Sequence, residues 1–367
     1  MKIALIGCGK AARRHLAIFR ELPEAELVAV ADLDAEKAQA FATEIGAAWF
    51  VDFRTMLETH PEVEVVDIAT PSGLHAEIAL AVLKEFRRPL LLEKPLTLLI
   101  SEAWEIVKAA RELGLKVVTI FQNRFNLPVL KLKEALDQGR FGKIVLASVR
   151  FYWCRRQDYY DSGSWRGTWA LDGGALAQQG CHHVDMIRWL MGPVKEVYAK
   201  AATRLVDIEA EDILVGTLEF ENGALGTIEA TTCARPQDLS AELVVLGEKG
   251  SVVLRGFAMN ELHHWAFEDE GPEDQLVREN FKANPQDRLG YAHRAYLRAA
   301  LEYLAGGRRD PRLVVDEEAI PSLELIQGLY ESAVSGRPVS FPLKLRVSPL
   351  GRPSSWEGVA EISFRKG

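Results

Sequence analysis

The sequence predicts a doubly wound α/β domain followed by an α+β domain with a large, mostly antiparallel sheet. Its 367 residues, of which 48% are hydrophobic, are enough for two cores. Over the first 120 residues, short apolar runs alternate with amphipathic stretches, which is typical of a parallel sheet covered by helices on both faces. After Gln122 the segments become long and alternating, and the turn sequences ENG (221–223) and EKG (248–250) indicate hairpins.

Each element is predicted from its periodicity. The apolar runs predicted as strands in the first half are KIALI, LVAVAD, VEVVDIAT, PLLLEK and KVVTIF. The stretches predicted as helices are 10–22, 35–45, 75–85, 101–113, 128–138, about 290–305 and 316–336. The strand segments of the second half are KIVLASVRFYW, EVYAKAATRL, DILVGTLEFENGALGTIEATT and AELVVLGEKGSVVL. We therefore place the domains at 1–121 and 122–350, followed by a tail at 351–367.

Charge and composition exclude several classes of protein. Lys and Arg number 44 against 52 Asp and Glu, and the net charge of −8 argues against a general nucleic-acid-binding surface. The start, MKIALIGCGKAARRH, lacks the apolar core of a signal peptide, and no later run reaches the ~18 to 20 residues of a membrane span. Four cysteines lie far apart without a CxxC pair, which favours reduced thiols in a cytoplasmic protein.

A glycine-rich turn follows the first predicted strand. Gly7, Gly9 and the small Ala12 stand where a Rossmann dinucleotide-binding domain has a tight turn, an approach for pyrophosphate and close helix packing. Asp32 ends the second strand, where a carboxylate can accept the hydroxyl groups of the adenosine ribose. Its charge opposes a 2′-phosphate and no arginine follows it, so we predict NAD rather than NADP. The alternative is that Asp32 only caps the helix that starts near Asp34.

A lysine follows the buried strand in PLLLEKPL. In an open α/β sheet, ligands lie beyond the carboxyl ends of the strands, where Lys94 would project. Burial lowers the pKa of a lysine and a nearby carboxylate raises it, so Lys94 can polarise a hydroxyl or relay a proton. Pro95 is a candidate cis peptide that directs the lysine. The alternative is an exposed Glu93–Lys94 pair at a strand end.

Four motifs together resemble the Gfo/Idh/MocA family of sugar and inositol oxidoreductases. They are GCGKAARRH, ATPSGLH (69–75), EKP (93–95) and GGALAQQGCHHVD (173–185). Further stretches resemble the WlbA-type dehydrogenases of that family: QNRFN, YYDSGSWRGTWALDGGA, LGEKGSV and NELHHWAF. The resemblance implies oxidation by NAD of the C3 hydroxyl of UDP-N-acetylglucosaminuronic acid, in nucleotide-sugar biosynthesis for surface polysaccharide. It also implies a homodimer or homotetramer.

Two adjacent histidines occur in the last of these motifs. In a helix spanning 177–191, His182 would share a face with Gln178 and Asp185, whereas His183 would point away by about 100°. Asp185 can therefore orient a base at His182, and the histidine of the family also aligns with His182. The alternative is that both histidines pack or cap. A metal site is disfavoured because adjacent helical histidines diverge and no fourth ligand is apparent, so we predict no metal.

The segment 150–169 concentrates arginine and aromatic residues in an acidic chain. We predict that Arg166 binds the acidic group, that Asn123 and Arg124 contact sugar or diphosphate, and that Tyr160 contributes. Most relatives have aspartate where this chain has Gln178, and an amide avoids repelling a substrate carboxylate.

The catalytic roles predicted are a proton acceptor at His182 and a stabiliser of the developing oxygen charge at Lys94. Gly7, Gly9, Ala12, Asp32, Lys94 and Arg166 are also assigned to the cofactor, together with further motif residues: Lys10, Thr70, Pro71, His75, Glu93, Gln122 and Trp165. Two alternatives stay open. One is an inositol or hexose dehydrogenase or a keto-sugar reductase, and the other is a non-catalytic NAD-binding sensor of a sugar nucleotide.

Overall fold

The computed structural model describes residues 1–282, 292–344, 348–353 and 355. The helices in this part of the chain are α1 (Lys10–Phe19), α2 (Ala35–Ile45), α3 (Phe53–Thr59), α4 (His75–Ala81), α5 (Ile100–Leu113), α6 (Leu127–Asp137), α7 (Gln157–Asp161), α8 (Cys181–Met191), α9 (Pro272–Phe281), α10 (Ala292–Leu304) and α11 (Ile320–Ser335). The strands are β1 (Lys2–Ile6), β2 (Glu26–Ala31), β3 (Ala48–Phe50), β4 (Val65–Ile68), β5 (Leu90–Leu92), β6 (Val117–Thr119), β7 (Ile144–Tyr152), β8 (Val194–Ala202), β9 (Ile213–Phe220), β10 (Leu225–Thr231), β11 (Ser240–Gly247), β12 (Gly250–Arg255), β13 (Glu261–Phe267), β14 (Val314–Val315) and β15 (Val339–Ser340).

The chain divides into two compact units. The first contains 1–122 and 293–320, and the second contains the described residues between 123 and 292 and those from 321 onwards. The predicted domain boundary puts 293–320 in the second domain, whereas the contacts of this segment group it with the first. Periodicity predicted α10 near its true position but carried no information about the unit on which the helix packs. The predicted tail, 351–367, lies largely outside the described residues.

The first unit contains a sheet in the order β14-β6-β5-β4-β1-β2-β3. Strands β1 to β6 pair in parallel and β14 is antiparallel to β6. The predicted Rossmann arrangement is confirmed. Chain order reverses between β1 and β4, so their carboxyl ends form the switch point at which such sheets bind ligands.

Residues 293–320 contact this sheet at β6 through strand pairing and hydrogen bonds. Val314 of β14 pairs with Thr119 of β6, and the hydroxyl of Tyr296 on α10 donates to the carbonyl of Thr119. Tyr296 is fully buried. These contacts cover the outer edge of the parallel sheet, which would otherwise leave unpaired backbone groups.

The second unit contains a sheet in the order β13-β12-β11-β7-β10-β9-β8-β15. Its pairs are antiparallel except for β7 and β10, so the predicted mostly antiparallel sheet is confirmed. The turns predicted at ENG and EKG join β9 to β10 and β11 to β12. At the first, Gly223 has a φ of 83°, which favours glycine.

One face of this sheet packs on α8, and the other exposes apolar side chains. Tyr198, Val215 and Leu225 are 37%, 48% and 59% exposed. The homo-oligomer implied by the family resemblance stays a prediction, and this face is where we expect a second copy to pack. Within the described ranges, no helix combines the length and apolar character needed to cross a bilayer.

Candidate active site

The turn after β1 is built for close approach of a ligand to the backbone. Gly7 has a φ of 96°, and a Cβ there would lie 2.8 Å from the carbonyl oxygen of Ala69, so only glycine fits. Gly9 caps α1 without a side-chain hydrogen bond, and no atom lies within 4 Å of its Cβ position. Ala12 is fully buried against the sheet. The space beside Gly9, at the N-terminus of α1, fits a pyrophosphate group.

Asp32 is held beside this turn by backbone donors. Its Oδ2 accepts from the amide of Cys8 at 2.8 Å and its Oδ1 accepts from the amide of Asp34 at 2.9 Å. Each oxygen keeps a lone pair for a ribose hydroxyl. Burial, and then the charge of Asp32, raise the pKa of the Cys8 thiol to about 12. The capping alternative is not supported, because Asp34 caps α2 by accepting from the amide of Lys37.

Coenzyme choice tests the role of Asp32. The double variant Asp32→Ser/Leu33→Arg removes the charge that opposes a 2′-phosphate and adds a cation. We expect the ratio of kcat/KM for NAD to that for NADP to fall by at least about tenfold, since one lost charge interaction contributes about 1.4 kcal/mol or more. Asp34→Ser is the matched control because serine also caps α2, and it should leave the ratio unchanged. An unchanged ratio in the double variant would contradict the assignment.

The loop after β4 is tied to the lysine turn through His75. The fully buried ring lies 2.9 Å from the carbonyl of Pro95 through Nδ1 and 3.0 Å from the carbonyl of Thr70 through Nε2. Burial lowers the pKa of His75. His75 was predicted to contact the cofactor. The structure instead gives it a supporting position between two backbone segments, because both ring nitrogens are turned to carbonyl groups. Thr70 and Pro71 are half-buried.

Lys94 follows β5, and the predicted cis peptide at Lys94–Pro95 is confirmed. The amide of Glu93 donates to the carbonyl of Ile68 at 2.9 Å, and the amide of Lys94 donates to Oε2 of Glu93 at 3.1 Å. Glu93 was predicted to contact the cofactor. Its Oε1 instead lies 3.1 Å from Nε2 of the buried His15. The alternative of an exposed Glu–Lys pair does not describe this turn.

The two histidines of the second unit have different surroundings. The predicted helix 177–191 divides into a π-helical turn, Ala175–Gln179, and the helix α8 that begins at Cys181. His183 is 2% exposed and its ring lies 4.9 Å from Phe151 and 5.3 Å from Trp153. Burial lowers the pKa of His183 to about 3. His182 is half-buried, which favours it as the histidine available for chemistry.

Asp185 does not have the partner that was predicted. Its carboxylate accepts two hydrogen bonds from Arg124, at 2.8 Å from Nε and 2.6 Å from Nη2, and one from the Ser322 hydroxyl at 2.9 Å. The predicted orienting bond to His182 is not among its contacts with the described residues. Asp185 is 1% exposed, and a carboxylate buried to this degree needs a charged partner.

Arg124 was predicted to contact sugar or diphosphate. Its guanidinium is buried in the ion pair with Asp185 and lies 5.0 Å from the ring of Trp189, so the structure assigns it to the core. Asn123, also predicted as a substrate contact, is buried in the turn that precedes α6. Gln122 is likewise buried.

A cluster around Arg166 was only partly predicted. The hydroxyl of Tyr159 accepts from Nη1 of Arg166 at 2.6 Å and from Nε2 of Gln179 at 2.9 Å. The guanidinium lies 4.4 Å from the ring of Tyr159 and 4.3 Å from that of Trp165. Nε of Arg166 is buried without a hydrogen-bond partner among the described residues. We call Tyr159, Trp165, Arg166 and Gln179 the Arg166 cluster.

Sequence reasoning selected Tyr160 and missed Tyr159 and Gln179. Tyr160 is 6% exposed and its hydroxyl lies 3.0 Å from that of Thr232, so it is a core residue. Adjacent tyrosines give no sequence signal that separates them, because their directions depend on how the short helix α7 packs. Gln178 lies half-buried in the π-helical turn next to Gln179.

The parallel sheet, its glycine turn and the carboxylate of Asp32 beside that turn define an NAD-binding oxidoreductase fold. The chain belongs to the GFO/IDH/MocA family, because residues 1–121 match its NAD-binding Rossmann fold and residues 129–253 match its C-terminal domain. It is an NAD-dependent dehydrogenase of that family. Solved relatives include the WlbA dehydrogenase of Bordetella pertussis, in complex with NADH and UDP-GlcNAcA, which is 35% identical with a TM-score of 0.86 over 94% of this chain and 98% of that one.

Curated relatives act on other sugars and polyols. The inositol 2-dehydrogenase of Rubrobacter xylanophilus is 29% identical over 83% of this chain and 91% of its own length. The D-glucoside 3-dehydrogenase of Escherichia coli is 26% identical over 93% of this chain and 97% of its own length. The family likeness therefore supports a sugar dehydrogenase.

Proposed function

We propose that this protein uses NAD to oxidise the C3 hydroxyl of UDP-2-acetamido-2-deoxy-glucuronate to the 3-keto sugar, in the biosynthesis of nucleotide sugars for surface polysaccharide. The Arg166 cluster is the observation that carries the proposal. It gives the acidic chain a cation between aromatic rings, with a buried N–H that has no acceptor among the described residues. A carboxylate is a fitting acceptor for that donor.

A neutral amide at Gln178 supports the same substrate. A carboxylate at this position would repel a uronate carboxylate, whereas an amide can donate a hydrogen bond without adding charge. The likeness to a protein solved with UDP-GlcNAcA adds weight, since its 35% identity exceeds the 29% of the inositol dehydrogenase.

The proposed chemistry is a coupled loss of the proton of the C3 hydroxyl and of the hydride on C3, which leaves a C3 carbonyl. When bound, NAD supplies the hydride acceptor. His182 accepts the proton of the C3 hydroxyl, and the ammonium group of Lys94 stabilises the charge that develops on the oxygen. The product has two hydrogens fewer than the substrate.

Parallel assays distinguish the candidate substrates. UDP-N-acetylglucosaminuronic acid, UDP-N-acetylglucosamine and myo-inositol are each incubated with NAD, and the NADH absorbance and product mass are measured. We expect kcat/KM for the uronate to exceed that for the uncharged sugar nucleotide by about 10- to 100-fold, the size of one charged hydrogen bond. Preference for myo-inositol would favour the alternative suggested by the curated relatives. Ligand binding without NADH formation would indicate a sensor.

The variant Gln178→Asp tests whether the neutral amide contributes to the preference for the uronate. It places a negative charge beside the proposed carboxylate site, so the preference for the uronate should fall while NAD affinity is retained. Gln178→Asn keeps the amide and is the matched control. An unchanged preference in Gln178→Asp would contradict the proposed role of the amide.

A further inference from the structure

The first unit contains a buried group of ionisable side chains that the chemistry above does not use. His15 lies on α1, Asp67 on β4, Glu93 after β5 and His293 on α10. His15 and Asp67 are both fully buried, and the side chain of Glu93 is 14% exposed. Buried charges are costly unless they are paired, so this group needs a physical explanation.

His15 bridges two carboxylates. Its Nδ1 lies 2.7 Å from Oδ2 of Asp67, and its Nε2 lies 3.1 Å from Oε1 of Glu93. A neutral imidazole has one N–H, so it can donate to only one carboxylate, whereas here each ring nitrogen lies against a carboxylate oxygen. The ring satisfies both contacts as a donor only when it is an imidazolium.

The contacts continue from Glu93 to the proposed catalytic lysine. While Oε1 of Glu93 faces His15, its Oε2 accepts from the backbone amide of Lys94 at 3.1 Å. The two oxygens of one carboxylate therefore join the centre of α1 to the turn after β5. Rotation of this carboxylate would release the Lys94 amide and leave a negative charge free beside the lysine.

We propose that His15 is a positioning residue for Lys94: its imidazolium bridges Asp67 and Glu93 and so holds the carboxylate that fixes the lysine turn. This inference rests on the proposed role of Lys94 in the reaction. His15 itself touches neither substrate nor cofactor in this scheme, and it acts through Glu93.

The pKa shifts of His15 and Glu93 agree with the geometry, whereas burial outweighs the contact with His15 and raises the pKa of Asp67. Burial alone would lower the pKa of His15, but Asp67 and Glu93 outweigh it and raise the pKa from 6.5 to about 10. Burial would raise the pKa of Glu93, but the hydrogen bond from His15 holds it well below its usual range. His293 meets the His15 ring edge-on with centroids 5.3 Å apart, and burial lowers its pKa to about 3. Lys94 and Arg14 add positive charge around the group.

A metal is a poorer occupant of this cluster. His15, Glu93 and His293 offer ligand atoms within 4.8 Å of one another. Metal ligation requires an unprotonated nitrogen on each histidine, whereas both nitrogens of His15 already face carboxylates. We therefore expect that neither Zn²⁺ nor a chelator changes the thermal stability, and a clear shift with either would overturn the proton bridge.

Ring-nitrogen NMR tests the bridge without any substrate. With ¹⁵N-labelled histidine, we expect one of the eight histidines to carry protons on both ring nitrogens at about pH 8, where an ordinary histidine is neutral. The signal should be absent from His15→Gln. If all histidines of the wild-type protein are neutral at this pH, the bridge does not exist.

The contribution of His15 to the stability of the folded protein should also depend on pH. Because the pKa of His15 is raised in the folded protein, its contribution is complete below about pH 6.5 and is lost as pH rises through about 10. The difference in Tm between the wild-type protein and His15→Gln should therefore shrink between pH 7 and pH 10. A difference that stays constant or grows would contradict an imidazolium at His15.

Kinetics separate positioning from simple structural support. We expect His15→Gln to lower kcat by about 10- to 100-fold through misplacement of Lys94, with little change in KM for NAD. The pH–rate profile should also move to higher pH, because the released Glu93 carboxylate favours a protonated Lys94. His293→Leu is the matched control, since it alters the same buried cluster, and the His293 ring has no hydrogen-bond partner among the described residues. It should change neither kcat nor the profile.

Wild-type kinetics in His15→Gln, or equal losses in the two variants, would overturn the positioning role. The proposed function can fail separately. If the wild-type protein does not oxidise UDP-N-acetylglucosaminuronic acid, the NMR result still decides the bridge, and the kinetic comparison uses the sugar that the protein does oxidise.

Discussion

Replacement of His182 by Asn is expected to lower kcat for sugar oxidation by about 10²- to 10⁴-fold while NAD affinity stays unchanged. The range is that of a lost general base. Asparagine retains a polar side chain of similar size but cannot take up the hydroxyl proton. The measurement is NADH formation under saturating substrate, together with NAD affinity from fluorescence titration. Lys94→Met removes the other proposed group and should give the same result.

His183→Leu is the matched control for this prediction. His183 follows directly in the chain, but its ring packs on Phe151 and Trp153 and burial lowers its pKa to about 3. Leucine preserves an apolar contact there, so kcat should remain close to that of the wild-type protein. Loss of turnover in His183→Leu with retention in His182→Asn would reverse the assignment of the two histidines.

The parts of this site that depend on local geometry could be predicted from the sequence. The glycine turn could be predicted because Gly7 needs a positive φ and lies directly after an apolar strand. Asp32 could be predicted because it directly follows the neighbouring strand. Lys94 could be placed at a strand end for the same reason. In each case, a few consecutive residues contain the physical cause.

The errors concern partners that are distant in sequence. Asp185 was paired with His182 by assuming one continuous helix, but its actual partner Arg124 lies 61 residues away. The helix is interrupted before Cys181, and a Cβ on Gly180 would lie 2.6 Å from Phe151, so this glycine is required by tertiary packing. Helical periodicity predicts which residues share a face but not what that face meets.

The choice of substrate residues depends on tertiary packing in the same way. Arginine and aromatic residues in 150–169 indicated an anion site, and Arg166 is indeed enclosed by rings. The choice between Tyr159 and Tyr160 depended on the direction of a short helix, which composition does not determine. The assignment of Arg166, Asn123 and Gln178 to substrate stays a prediction.

The ion pair between Arg124 and Asp185 gives the largest expected effect on stability. Both side chains are buried, the pair has two hydrogen bonds of 2.8 and 2.6 Å, and the Ser322 hydroxyl donates to the same carboxylate. Arg124→Met would leave Asp185 buried without its cation. We expect the free energy of unfolding to fall by about 3 to 5 kcal/mol, as measured by denaturant titration.

A double variant decides whether the lost free energy of unfolding comes from the unpaired charge of Asp185. Arg124→Met/Asp185→Leu removes both partners, so most of the lost stability should return, since burying two charges is itself costly. The exposed pair Lys195–Glu219 is the control, and Lys195→Met should cost less than about 1 kcal/mol. If Arg124 instead contacts sugar or diphosphate, Arg124→Met would raise KM for the substrate with little change in unfolding. The double variant would then show no recovery, because no buried charge would have been left unpaired.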